Sequence, residues 1–248
     1  MPNQSTVRVL TYNIHSCVGT DRKLDPARIA GVIAEAAPDI VALQEVDVGR
    51  GRTGGVDQAH LIASLLKMQA SFHSALTVAE EQYGDAILTA LPMSPGKAGP
   101  LPRFGEPRGA LSVDVTIGDR KLRVINTHLG LRGRERVQQM TALLEAGWLG
   151  HAGSEDLPAV LCGDFNAIPP SAAYRLAVRR LKDAQLANDR NAQPTFPSAF
   201  PLMRLDHIFL TAGLEAVSTA VLRNRLTRLA SDHLPLVADI RFTGSGLP

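Results

Sequence analysis

Asp164 and Asn166 stand two residues apart at the end of the apolar run Pro158–Cys162, in the string Leu161-Cys162-Gly163-Asp164-Phe165-Asn166-Ala167-Ile168-Pro169. On extended backbone, residues two apart project to the same side, so a carboxylate and an amide would face one pocket at the strand's mouth. A carboxylate takes a proton or holds a cation, and an amide donates a hydrogen bond without carrying charge. The pair suits chemistry on an anionic oxygen. The same residue types also make ordinary turns, and this string alone leaves both readings open.

Other apolar runs carry comparable residues at their ends. Asn13 closes Val7–Ile14, Glu45 follows Ile40-Val41-Ala42-Leu43, His128 follows Lys121–Thr127, Asp206 lies at the start of Arg204–Leu210, and Asp232-His233 precedes Leu236–Phe242. Unpaired charge beside an apolar strand is disfavoured, so these groups are expected to satisfy one another or a metal. Glu, Asp and Asn oxygens suit magnesium or manganese. No His-x-x-x-His and no cysteine cluster offers a zinc site.

The elements that must position these groups follow from pattern. Asp25-Pro26 opens a helix as capping acid and first-turn proline, Ile29, Val32, Ile33 and Ala36 follow at helical spacing, and Pro38 closes it. Ile40–Leu43 is apolar on both faces and reads as a fully buried strand. The glycine-rich loop Gly49–Gly55 carries Arg50 and Arg52 but lacks the lysine ending of a nucleotide-binding loop. A second helix is expected over Asp57–Lys67, and strands over Ser71–Leu76 and Gly84–Leu88. Leu91–Gly109, rich in proline and glycine, reads as a long surface loop. Ala110–Ile117 and Lys121–Thr127 alternate around Gly118-Asp119 as a hairpin. Arg134–Trp148 reads as a helix with Val137, Met140, Leu144 and Trp148 on one stripe, and Ser171–Arg180 as another. Arg132, Arg134 and Arg136 oppose the dipole at the first of these helix starts, which suits either a nearby anion or a solvated basic face. Leu214–Leu222 and Leu236–Phe242 are expected as closing strands. Strands alternating with helices, hairpins included, indicate an α/β domain with mixed or antiparallel sheets.

Composition bounds the class. The chain has 248 residues, 45% hydrophobic and 20% charged, which is enough for a sizeable core in one domain spanning 1–248. A net charge of +2 does not by itself argue for nucleic acid. Cys17 and Cys162, each expected in an apolar strand, give no disulfide framework. Neither a signal peptide nor a run long enough to span a membrane is visible. The expected setting is a reducing, cytoplasmic one.

Taken together, the segments resemble the endonuclease/exonuclease/phosphatase superfamily. The resemblance is carried by Thr11-Tyr12-Asn13, Gln44-Glu45-Val46, Tyr83-Gly84, Pro107-Arg108-Gly109, Asn126-Thr127-His128-Leu129, Gly163-Asp164-Phe165-Asn166, Leu205-Asp206-His207-Ile208 and Ser231-Asp232-His233, in the superfamily's order along nearly the whole chain. It implies a four-layer α/β/β/α sandwich, with two mixed sheets face to face, helices outside and a site at one end. It also implies roles. Glu45 looks like the principal metal ligand with Asn13 and Asp232 close to the ion, which would be magnesium or manganese. His233 looks like the histidine that contacts the scissile phosphate, oriented by Asp206. Asp164 resembles the acid that positions or deprotonates the attacking water, and Asn166 and His128 resemble groups that hydrogen-bond the phosphoryl oxygens. Arg108, Tyr83 and Arg50 are the candidate substrate-binding residues. His15, His60, His73, His151 and His207 are read as ordinary, with His207 facing away from Asp206.

The chain departs from the pattern in two places. Many relatives read Tyr-Gly-Asn and then Leu-Ser with a basic residue, where this chain has Tyr83-Gly84-Asp85 and Leu88-Thr89-Ala90. Added negative charge and a lost cation weigh against a heavily anionic substrate. The expected function is a magnesium-dependent phosphodiesterase acting on a small soluble ester or a lipid head group. An aromatic content of 4% offers little base stacking. The alternative is a DNA or RNA endonuclease, supported by Arg50, Arg52, Arg103, Arg108, Arg132, Arg134 and Arg136. A third reading is a non-catalytic binding module that kept the fold.

Overall fold

The computed structural model describes residues 6–145, 147–149, 157–187 and 192–243. In chain order the elements are β1 (Val7–Asn13), α1 (Pro26–Ala36), β2 (Ile40–Val48), α2 (Gln58–Leu66), β3 (Gln69–Val78) and β4 (Glu81–Thr89). Then come β5 (Met93–Pro100), β6 (Gly109–Ile117), β7 (Arg120–His128), α3 (Gly133–Leu144), β8 (Ala159–Asp164) and α4 (Ala172–Ala177). β9 (Lys182–Asp183), α5 (Ala184–Ala187), β10 (Asp206–Leu210), β11 (Leu214–Val221), α6 (Arg225–Ala230) and β12 (Leu236–Phe242) complete it.

The strands form two six-stranded sheets, ordered β11-β12-β1-β2-β4-β3 and β5-β6-β7-β8-β10-β9. Each contains one parallel pair, β1 with β2 and β7 with β8, and each pair is joined by a crossover helix, α1 or α3. The connection from a parallel strand to its neighbour must return along the sheet, so both pairs end at the same edge of their sheet. Asn13 and Gln44 are opposite each other in one pair, and His128 and Asp164 in the other.

Three apolar clusters make the layers. Val9, Ile40, Val113, Val124, Val160 and Ile240 belong to the core between the sheets. Leu10, Leu43 and Leu88 face α1 and α2 through Ile29, Ile33 and Ile62. Ile125, Leu161 and Phe209 face α3 and α4 through Met140, Leu143 and Tyr174. This is the expected four-layer sandwich. The helix starts follow their sequence signals: Asp25 accepts from Arg28 N with proline in the first turn, and Asp57 accepts from His60 N.

Several expectations need correction. Leu91–Gly109 is not all loop, because Met93–Pro100 is the edge strand β5. Proline removes a ladder donor and is tolerated where one side of a strand is unpaired, and the register slips between Pro95 and Ala98. The helix expected over Arg134–Trp148 ends at Leu144, and its buried face is Glu135, Gln139, Met140, Leu143 and Leu144, with Val137 only half-buried. At its start Glu135 Oε1 accepts from Phe104 N at 2.9 Å, and Arg132 and Arg136 donate to backbone carbonyls. The helix expected over Ser171–Arg180 stops at Ala177. β9, α5 and α6 were not anticipated, being short. Cys17 lies in a tight turn rather than a strand, and both cysteines are free and buried. His151 lies outside the described residues.

Candidate active site

Asn13, the last residue of β1, joins the two sheets. Its Nδ2 donates to Glu45 Oε1 at 2.9 Å and to Asp164 Oδ2 at 3.0 Å, while Oδ1 accepts from His15 N at 3.0 Å. Glu45 reaches it through a distortion. The pairing of β2 with β4 slips between Leu43 and Val46, and Glu45 adopts φ +59°. Such a bulge re-aims a side chain, and a left-handed glutamate is a costly conformation that the surroundings must hold. What holds it is the preceding residue. Gln44 Nε2, fully buried, donates to Thr11 Oγ1 at 3.1 Å and to Asn126 Oδ1 at 2.7 Å, and Asn126 Nδ2 donates to Leu43 O at 2.8 Å and Ala86 O at 2.9 Å. A clasp between the sheets thus fixes both sides of the bulge.

Asp164 ends β8. Its Oδ1 accepts from Asn166 N at 2.8 Å, and its Oδ2 lies 3.4 Å from His128 Nε2 and 3.6 Å from His233 Nε2. Asn166, at φ +47°, donates to Leu129 O at 2.9 Å and its amide lies 3.1 Å from His128 Nε2. Gly163 enters this bend at φ +144°, where a Cβ would meet Thr127 O at 1.9 Å. Only glycine lets the backbone pass that close to β7. Arg108, buried, donates to His128 Nδ1 at 3.3 Å and pairs with Glu106 at 3.1 Å.

Asp206 sits opposite Asp164 in the β8–β10 pair, and its Oδ2 accepts from His233 Nδ1 at 2.8 Å. Its Oδ1 is buried without a hydrogen-bond partner. The ring of Phe196 packs on His233 at 4.7 Å. Burial pulls the His233 pKa down, but the charges of Asp206 and Asp164 outweigh it and raise it to about 10. Burial raises Asp164 to about 7 against the opposing pull of His233. His128 is pushed well below its ordinary value by burial, with Arg108 and His233 adding to the effect.

The structure therefore brings together Asn13, Glu45, Asp164, Asn166, His128, Asp206, His233 and Arg108. Asp232 joins them indirectly: Ser231 Oγ donates to Asn13 O at 2.8 Å and lies 3.4 Å from Asp232 Oδ1. Tyr83 is a buried wall of the neighbouring cleft. Arg50 pairs with Glu81 at 3.6 Å and Asp47 at 3.9 Å, with its guanidinium 6.0 Å from the Tyr83 ring centre, and Arg52, which lines the cleft, lies 5.5 Å from the same ring. His207 faces away from Asp206, as expected. It packs on Phe165 and Phe209 and bonds Ala167 O at 2.8 Å.

Asp85 was anticipated only as a departure, yet it belongs here. It is 2% exposed, and burial first, then the charges of Glu45 and Asp164, raise it to about 8 against the pull of Arg108. The carboxylates at this end (Glu45, Asp85, Asp164, Asp206 and Asp232) outnumber the cations Arg108 and His233. With the orphaned Asp206 Oδ1, this acid-rich oxygen set fits a hard divalent cation. Among the described residues, Asp164, Asp206 and His233 also place ligand atoms within 4.8 Å of one another. In that trio His233 Nδ1 is already committed to Asp206, so its geometry is that of an oriented imidazole.

Known proteins resemble this chain in sequence and in fold. The Endonuclease/Exonuclease/phosphatase family matches residues 10–233. The chain is similar to YbhP of Escherichia coli K12, at 30% identity over 97% of this chain and 99% of that protein. Among solved structures it is similar to an endonuclease/exonuclease/phosphatase from Beutenbergia cavernae, at 26% identity and TM-score 0.80 over 98% of this chain and 73% of the other. It is also similar in fold to the human Nocturnin catalytic domain with bound sulfate anion, at 22% identity and TM-score 0.71, covering 96% and 95%.

Proposed function

The chain belongs to the endonuclease/exonuclease/phosphatase family, a family of phosphoester hydrolases, and from that premise we propose that it is a divalent-cation-dependent phosphodiesterase of small or lipid-borne esters. The observation that carries the reading is the meeting of Glu45, Asp164 and the His233–Asp206 pair around the Asn13 amide. Glu45 and Asp232 would hold magnesium or manganese, with Asn13 fixing Glu45 against Asp164. The cation supplies Lewis-acid stabilisation of charge on the phosphoryl oxygens.

The chain's own residues do the rest. Asp164, its Oδ1 steadied by Asn166 N, takes the proton of the attacking water as that oxygen bonds to phosphorus. The P–O bond to the alcohol breaks on the opposite side, and the departing alkoxide takes its proton from solvent water. His233, held protonated by Asp206, donates from Nε2 to a phosphoryl oxygen. Asn166, His128 and Arg108 offer further hydrogen bonds where negative charge grows, and fixed donors in a buried site need no reorganisation as the reaction proceeds. We place the protein in the cytoplasm, a setting that suits its free buried cysteines. Among the described residues, no helix is long and apolar enough to cross a membrane.

The substrate reading rests on how the arginines are engaged. Arg50 and Arg52 pair with Asp47 and Arg108 pairs with Glu106, so the arginines nearest the cleft are matched by acids, while Arg132 and Arg136 donate to backbone carbonyls and keep their charge. Phe104, Leu131, Ile168, Phe200 and Leu202 stand exposed on loops within six residues of a site residue, which suits a lipid-borne ester better than a nucleic acid. The test is a panel of diesters, monoesters, phospholipids and plasmid DNA, assayed with magnesium and with manganese. Turnover of a diester that His233→Ala lowers by on the order of 10³-fold supports the reading. Plasmid nicking without turnover of any small diester or phospholipid contradicts it and favours the endonuclease.

A further inference from the structure

Beside Glu45 lies a cleft of about 320 Å³, bounded by His15, Ser16, Arg52, Tyr83 and Glu106. That volume is at the small end of ligand pockets. One wall is the turn His15-Ser16-Cys17, whose φ angles are +46°, +49° and +60°. Three successive left-handed residues with side chains form only where the surroundings insist. Here Asn13 Oδ1 accepts from His15 N at 3.0 Å, Gln58 Nε2 donates to Ser16 O at 2.7 Å, and Arg52 Nη2 donates to Ser16 Oγ at 3.0 Å. The turn is therefore tied both to the Glu45–Asp164 bridge and to the far wall.

The chemistry of the lining is specific. His15 Nδ1 lies 3.0 Å from Val18 O. A carbonyl can only accept, so Nδ1 carries the proton and Nε2 of the neutral ring is left as an acceptor. Glu106 and Glu45 add carboxylate oxygens. The cations of the wall are already matched. Arg52 makes a forked pair with buried Asp47, at 2.7 and 2.8 Å, and Arg108 pairs with Glu106 at 3.1 Å. The cleft offers acceptors and no unmatched cation among the described residues. Hydroxyl groups can donate to such a lining, whereas a second phosphate would find every cation of the wall already paired with an acid.

We infer that this cleft is the subsite for the alcohol part of the ester, and that it selects a neutral, hydroxyl-rich group of glycerol or cyclitol size over one bearing a further phosphate. The inference rests on the phosphodiesterase reading and narrows its substrate class. Free glyceryl esters and the head group of a glycerophospholipid share this chemistry.

Kinetics on chosen esters test it. With magnesium present, kcat/KM is measured for glycerophosphoglycerol, diethyl phosphate and the 5′-phosphorylated dinucleotide pdTdT, in wild type and His15→Ala. The glyceryl ester should exceed the ethyl ester by roughly tenfold or more, the worth of one or two well-placed hydrogen bonds. His15→Ala should move that ratio toward unity, mainly through KM. Phosphatidylglycerol vesicles form a further arm: turnover with the same His15 dependence assigns the head group to a lipid, and inertness assigns it to a free ester. Equal turnover of glyceryl and ethyl esters, a ratio that His15→Ala leaves unmoved, or a preference for pdTdT overturns the inference. If no ester is hydrolysed, it is the phosphodiesterase reading that fails, and NMR still decides the subsite. Glycerophosphoglycerol should move the His15 ring resonances, identified by their loss in His15→Ala, and diethyl phosphate should not. No difference between the two overturns it.

Discussion

At the scale of single residues the site turns on His233 lying between two acids, Asp206 at 2.8 Å and Asp164 at 3.6 Å. Asp206 touches no substrate in this account; it orients the imidazole and favours its charged form. Asp206→Asn should lower kcat by on the order of 10²-fold or more and move the alkaline limb of the pH–rate profile to lower pH. A merely structural role for Asp206 would leave that limb in place. The same pair predicts a pH dependence of stability. The folded His233 pKa, about 10, lies above the value of about 6.5 in an unfolded chain. Its contribution is therefore fully present below about 6.5 and is lost as pH rises toward 10. Asp164 and Asp85 are raised to about 7 and about 8, so their penalty accrues at lower pH, between the unfolded carboxylate value of about 3.9 and those values. In the cation-free protein, the stability difference between wild type and His233→Asn, read from urea midpoints, should shrink between pH 8 and 10. A difference constant across that range contradicts the assignment.

At the scale of elements, the strand ends were legible because burial on both faces leaves a clear signature: Ile40–Leu43 and Val160–Cys162 are unbroken apolar runs, and a polar residue at such a boundary stands out. What the sequence could not show was how the ends bend. Glu45 points where it does because β2 carries a bulge, and nothing in Leu43-Gln44-Glu45-Val46 announces a left-handed glutamate. The clasp that holds it, Gln44 to Asn126, closes over 82 residues of chain. Arg50 and Arg52 are likewise indistinguishable as letters in a glycine-rich loop; both pair with buried Asp47, and Arg50 alone also pairs with Glu81. β5 escaped notice because Pro95 and Pro100 hide an edge strand. The clasp makes its own prediction. Asn126→Leu strands Leu43 O, Ala86 O and Gln44, and should destabilise the protein by about 2–4 kcal/mol in urea unfolding. A loss below about 0.5 kcal/mol would mean that the bulge is held by something else.

At the scale of the whole molecule, the two sheets correspond strand for strand, each with a central parallel pair, a crossover helix and antiparallel flanks. No repeat is visible in the sequence, because the correspondence lies in topology rather than in residue identity. Its consequence is functional. Packing two such sheets face to face brings Asn13 and Glu45 from one against His128 and Asp164 from the other. The excess of carboxylate over cation at that junction is the feature of the molecule that asks for a divalent ion.

The most direct measurement is hydrolysis of bis-p-nitrophenyl phosphate by EDTA-stripped protein, wild type and Glu45→Gln, as magnesium is titrated back. The stripped wild type should be inactive and recover fully. Glu45→Gln, with an unchanged circular dichroism spectrum, should stay reduced by on the order of 10²-fold or more at saturating magnesium. Full turnover in EDTA, or a Glu45→Gln protein as active as wild type, would contradict the account.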